Sequence, residues 1–191
     1  MHVFNTYILR FLFAFSLAII SLNILAEPVL EEVVVTARKV VENEQDVPIA
    51  MSVFTASDIN DAGIERPEDF IALTPNVVMA NTVNVGDTLV TIRGLTSTRD
   101  AESNFAFVVD GILQTNPNAF NRELLDIAQI EVLKGPQGAL YGRNATSGAI
   151  LITTKAPSEE SERTAVVGMG INNSSKLQFV NSSKIRDNVY T

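Results

Sequence analysis

Residues 130–155 read IEVLKGPQGALYGRNATSGAILITTK, and the rest of the chain is organised around this stretch. Two apolar runs, Ile130 to Leu133 and Ala149 to Ile152, flank a loop that carries Gly135, Gly138, Gly142 and Gly148. Short apolar runs bounded by turn residues read as buried strands, and glycine supplies backbone angles that other residues disfavour. Pro136 lacks a backbone donor and blocks continuation of the first strand. Lys134 and Arg143 add two cations to a loop that is otherwise small and polar. A phosphate cradle is the first function to test against such a loop, and it fails. No Gly-Lys-Ser/Thr ending follows the glycines, so the P-loop pattern is absent.

Composition narrows the choice. The chain has 191 residues, no cysteine, a single histidine (His2) and a net charge of -8. Such a length suits one ordinary domain with a sizeable core. The acidic balance argues against a nucleic-acid partner, because neutralising phosphates needs a basic surface. Without cysteine there are no disulfides, Cys-based zinc sites or thiol nucleophiles. Residues 1–26 have the form of an export signal: Arg10, an apolar run from Phe11 to Ile20, and a small-residue exit at Ala26. The run is short for a membrane span. Removal of residues 1–26 would also remove His2, the usual residue for neutral-pH acid–base chemistry and transition-metal binding.

Outward from the central stretch, the chain alternates short elements with polar turns. Glu31-Glu32-Val33-Val34-Val35-Thr36-Ala37 is rich in β-formers and lies between charged neighbours near the N-terminus. It reads either as a free donor for strand addition to another protein's sheet edge or as the domain's first strand. Residues 38–46 read as a flexible charged connector. Pro48 to Phe54 gives a strand, and Thr55 with Asp58 makes a capping box for a helix closed by Gly63. Pro67 opens a second short helix that runs to Leu73, its acidic first turn complementing the helix dipole, and Pro75 ends it. Residues 76–87 look turn-rich. Thr88 to Gly94 is a strand, 95–104 a polar loop, and Phe105 to Val109 a further strand that Asp110-Gly111 turns back. Residues 123–127 suggest a turn or two of helix before the Ile130 strand. The sum is a compact α+β domain with a small mixed sheet and short helices. Beyond an acidic linker, segments 164–170 and 175–181 alternate as a hairpin does at the start of a transmembrane barrel.

In the central stretch, Glu131-Val132-Leu133-Lys134-Gly135-Pro136, then Leu140-Tyr141-Gly142, then Ser147-Gly148-Ala149-Ile150, closely resembles the most diagnostic segment of the plug domain in TonB-dependent outer-membrane receptors. The Ile92-Arg93-Gly94 triplet and Val109-Asp110-Gly111 also resemble receptor-plug markers. Glu32, Val33, Val34, Val35, Thr36 and Ala37 resemble the family's TonB box, which implies strand pairing with the periplasmic energy-coupling protein TonB. The resemblance divides the chain into a signal peptide (1–26), TonB box and linker (27–46), plug (47–155) and the linker with the first strands of an incomplete barrel (156–191).

The same resemblance implies a plug inside a barrel in the outer membrane of a Gram-negative bacterium, taking up a large, scarce ligand. An iron–siderophore complex is the expected cargo, with no cofactor and no metal held directly by the chain. Arg93, Glu131, Lys134 and Arg143 are the expected plug–barrel contacts, arginine suiting bidentate pairing with carboxylates. Polar loops carry the ligand candidates Asn81, Asn84, Ser97, Arg99, Asn116 and Asn118. A plugged transporter barrel has about 22 strands, and residues 156–191 suffice for about two or three. A truncated receptor is therefore expected. The alternative is a soluble periplasmic module that binds a partner through its N-terminal strand and transports nothing. An enzyme would need a carboxylate-only site such as Asp110 with Glu131, and no spacing compels one.

Overall fold

A computed structural model describes residues 33–81, 88–97, 102–157, 161–170, 175–186 and 189–190, the last five of these by backbone alone. The expected signal peptide, Glu32, Asn84 and Arg99 lie outside the described residues. In chain order the strands are β1 (Val34–Val35), β2 (Glu42–Asn43), β3 (Met51–Thr55), β4 (Val77–Asn81), β5 (Thr88–Ile92), β6 (Leu95–Thr96), β7 (Phe105–Val109), β8 (Ile112–Gln114), β9 (Ile127–Lys134), β10 (Gly148–Thr154), β11 (Glu162–Met169), β12 (Ser175–Ser182), β13 (Lys184–Arg186) and β14 (Val189–Tyr190). Among the described residues three short helices, α1 (Ala56–Ala62), α2 (Pro67–Leu73) and α3 (Gly138–Tyr141), are interspersed.

The centre is a five-stranded sheet in the order β3-β9-β10-β7-β8. Only β10 and β7 run parallel; the other neighbours are antiparallel, so the sheet is mixed, as expected. Residue alternation sends the side chains of each strand to two faces, and both faces are covered. On one face Ile130, Val132, Ile150, Ile152, Phe105 and Phe107 pack with Ile59 of α1, Phe70 of α2 and Val90 and Ile92 of β5. Phe120 anchors this core by edge contacts to Phe70, Phe105 and Phe107. The second core is smaller: Ala106, Val108, Leu133, Ala149 and Leu151 lie beneath Ala37, Tyr141 and Ala145. Here the cover includes the N-terminal segment.

Local signals explain the helices. The Thr55 hydroxyl accepts from the Asp58 amide while the Asp58 carboxylate accepts from the Thr55 amide, and Gly63 closes α1 in the left-handed region. At α2 the Asp69 carboxylate accepts from the amides of Glu65 and Arg66, so this acid serves the helix start.

Four readings change. Val77–Asn81 is a strand paired with β5, not part of a turn-rich stretch. Residues 123–126 form no helix: the Leu124 amide donates to Glu65 O and Asp126 takes a φ of 53°, which takes the chain straight into β9. The connector 38–46 holds β2 and a single 3-10 turn, Glu44–Asp46. Residues 95–96, read as loop, form β6 against β5.

The hairpin β11–β12 is paired over its whole length. Leu177 and Phe179 are exposed on one face, opposite Val167 and Ala165. Lys176, Gln178 and Val180 turn the other way, toward a cleft of about 280 Å³ bordered by Ile59, Glu65 and Leu124. Across this cleft Lys176 Nζ meets Glu65 Oε1 at 2.7 Å.

Candidate functional site

The N-terminal segment is docked on the second core. Val35 and Ala37 are completely buried, whereas Val34 and Thr36 face outward. The expectation of a free segment is therefore corrected: its alternating apolar side chains find a ready-made face. Three side chains hold the backbone. Gln129 Nε2 donates to Val34 O at 2.9 Å. Glu131 Oε1 accepts from the Thr36 amide at 2.9 Å and from its hydroxyl at 3.0 Å. The Tyr141 hydroxyl donates to Ala37 O at 2.8 Å. The contacts run from Gln129 toward Tyr141, so the segment follows β9 in the same direction.

Glu131 is thus not a contact to a barrel wall. It is 2% exposed, on the same side of β9 as Leu133, beneath Thr36. Glu131 Oε2 has no hydrogen-bond partner among the described residues. Burial pushes the Glu131 carboxyl above its ordinary value, and the bonds from Thr36 offset this only in part. Tyr141 is pushed up to about 12, first by burial and then by the Glu131 charge. The Asp110–Glu131 pair imagined for an enzyme does not exist as a unit. Asp110 bonds the Thr154 amide and hydroxyl at 2.8 and 3.0 Å, while Glu131 bonds Thr36.

A second feature is cationic. Arg93 and Gly94 form the two-residue turn between β5 and β6, both with positive φ, 50° and 81°. That is the hairpin turn whose twist suits antiparallel strands, but a non-glycine residue there costs about 1 kcal/mol or more. Arg93 lies beside Lys134: burial first, and the Arg93 charge second, hold the lysine below its ordinary value. Gly135, at φ 115°, leaves room for the guanidinium, since a Cβ there would sit 3.0 Å from Arg93 Nη1. Among the described residues no carboxylate pairs with either cation; Lys134 Nζ reaches only Ser52 Oγ, at 3.1 Å. Arg143 differs. It pairs with Glu102 at 3.2 Å on the open surface, a contact worth little in water.

The loop candidates divide. Asn81 is exposed at the end of β4. Ser97 is buried, its hydroxyl bonded to Val90 O and Asn104 Oδ1, so it braces a loop end and is withdrawn as a ligand contact. Sequence reading missed Asn104, which also accepts from Ser147 and Thr146 and so ties the 97–104 loop to the central stretch. Asn116 caps the 3-10 turn Pro117–Ala119 through the Asn118 amide, at 3.0 Å. Both asparagines are exposed, and Asn116 lines a small recess with Ser103, Gln114 and Asn144.

A mixed sheet with a docked N-terminal segment and a cationic corner that no carboxylate pairs among the described residues defines a plug-like domain. Residues 43–149 match the family described as the TonB-dependent receptor plug domain. The chain belongs to this family. It is 29% identical over 140 residues to the pesticin receptor of Yersinia pestis, covering 73% of this chain and 21% of that protein. It is 31% identical over 146 residues to the vitamin B12 transporter BtuB of Vibrio vulnificus, covering 73% and 23%. Among solved structures, the ferric yersiniabactin uptake receptor FyuA from Yersinia pestis superposes with a TM-score of 0.68 at 28% identity, over 74% of this chain and 23% of that one. The chain thus spans about a fifth of the length of the relatives it matches. These relatives bear the names of receptors and a transporter, not of enzymes.

Proposed function

We propose that this chain is the plug portion of an outer-membrane receptor that takes up a large, scarce ligand, an iron–siderophore complex being the best-supported class, with energy drawn from TonB. The observation that carries the reading is the docked segment Val33–Ala37: a β-forming strand tied to the central sheet by a few side-chain bonds, its one ladder running only to the two-residue β2 of the adjoining connector. The proximity of relatives named for ferric yersiniabactin and for vitamin B12 supports a chelated, bulky cargo. Arg93 and Lys134 serve as the corner that meets carboxylates of the barrel, since no acid among the described residues pairs with them. Arg143 is the weaker candidate because Glu102 already engages it. The exposed Asn81, Asn116 and Asn118, together with Asn84 and Arg99 outside the described residues, supply the polar ligand contacts. A stand-alone periplasmic module leaves the apolar outer face of β11–β12 unexplained.

The test is hydrogen exchange on the full chain with and without the purified C-terminal domain of TonB. New protection over Glu32 to Ala37 on adding the partner is expected. No change there, with the partner shown to be folded, would remove energy coupling through this segment.

A further inference from the structure

The segment has two edges, and they are occupied differently. Neighbouring residues of a strand point their backbone groups to opposite edges. Val33 and Val35 face β2, as the Glu44 amide donating to Val33 O and the Val35–Glu42 register show. Val34 and Thr36 face the other edge. Among the described residues that edge meets no strand. It meets the Gln129 carboxamide, which donates to Val34 O, and the Glu131 carboxylate, which accepts from the Thr36 amide. One donor and one acceptor, on two side chains projecting from residues two apart on β9, reproduce what a pairing strand offers.

We infer that Gln129 and Glu131 form a side-chain cap that imitates a partner strand and competes with it for Val34 O and Thr36 N–H. The inference rests on the reading of this segment as a strand-addition site. It adds which residues keep the site closed. Edge Val33/Val35 is already taken by β2, so an incoming strand of either direction needs the capped edge. It cannot form its ladder until both side chains let go. Binding is then weakened by the fraction of molecules in which the cap is open. The cap also suits an edge strand that would otherwise present unpaired groups to any passing chain.

The two residues differ in a useful way. Glu131 is buried and accepts from both the amide and the hydroxyl of Thr36, while Gln129 makes one bond, so Glu131 contributes the larger share. Gln129 is partly exposed and packs in neither core, so its truncation leaves the fold intact.

The experiment compares wild type, Gln129→Ala, Glu131→Leu and the double variant, each as the full chain. Titration with the purified C-terminal domain of TonB gives affinity, and hydrogen exchange without partner gives opening at Thr36. A synthetic peptide of residues 27–40, which has no cap, is the reference. The peptide is expected to bind more tightly than the wild-type chain. Glu131→Leu should tighten binding by roughly tenfold and Gln129→Ala by roughly threefold, the range expected for losing two hydrogen bonds and one. Faster exchange should be confined to the Thr36 region. Exchange that rises evenly across the sheet would instead give Glu131 a general packing role and overturn the cap. Equal affinities for all four chains, with the peptide bound, would also overturn it. A peptide that does not bind would remove the strand-addition reading itself, and with it the cap. If Glu131→Leu does not fold, Gln129→Ala still decides.

Discussion

The five-stranded sheet and the β11–β12 hairpin are built from similar residues and solve opposite problems. In β10 five successive residues from Gly148 to Ile152 are buried, because cores lie on both faces. In β12 exposed and half-buried residues alternate over the full eight, and the outermost, Leu177 and Phe179, are large and apolar. A strand buried on both faces loses its alternation; a strand between a polar interior and an apolar exterior keeps it, with apolar groups outward. The first folds around its own side chains. The second has placed its apolar face where another apolar medium would cover it.

The comparison breaks most readily at Phe120, which three rings contact within the plug. Phe120→Ala should cost about 3–5 kcal/mol, read from urea unfolding. A cost close to zero would mean that the plug core is not the principal source of stability. Gly148 is next. A Cβ there would lie 2.2 Å from Leu133 O, inside the β9–β10 ladder, so Gly148→Ala should lower stability by about 1–3 kcal/mol by forcing the strands apart. The melting temperature would report it, and an unchanged value would show that the sheet yields more easily than its packing indicates.

Glu131 sharpens the contrast through pH. Its carboxyl is raised from 4.5 by burial, so the folded state holds the proton more firmly than the unfolded chain does. The stability it contributes is full below 4.5 and is lost as pH rises through the raised value. Glu131→Gln should flatten that part of the stability profile, measured by denaturation at a series of pH values. The smallest effect belongs to the hairpin. Phe179→Lys in aqueous buffer should change stability by no more than about 0.5 kcal/mol, because the ring is 68% exposed. A loss as large as that at Phe120 would make the hairpin part of the water-soluble core and end the distinction.

Much of this was legible from residue types. The caps at Thr55, Gly63 and Pro67 act locally, so their signals survive in the sequence. The Asp110-Gly111 turn is equally local, with both φ values positive. Strand β4 was hidden because Asn76, at φ 62°, and the polar residues after Asn81 make its surroundings look like turns. The false helix at 123–127 came from Leu124 and Ile127, whose spacing suits a helix. A bond from the Leu124 amide to Glu65 O, distant in sequence, decided otherwise. Glu131 was misplaced for the deepest reason. An acid within an apolar strand reads as a surface residue, and its partner Thr36 is 95 positions away. Ser97 was assigned to a ligand by its polar neighbours, while its hydroxyl is spent on Val90 and Asn104.

The order of the contacts along the N-terminal segment has a mechanical meaning. Val34 is tied by Gln129, Thr36 by Glu131 and Ala37 by Tyr141, one after another along the chain. A pull applied at residue 33 opens the short pairing with β2 and loads these ties one after another rather than together. Strand β9 lies between β3 and β10 with a ladder on either side, and a pull along it would load many bonds at once. The molecule therefore has a soft handle mounted on a stiff frame, and weak force peels the first long before it shears the second.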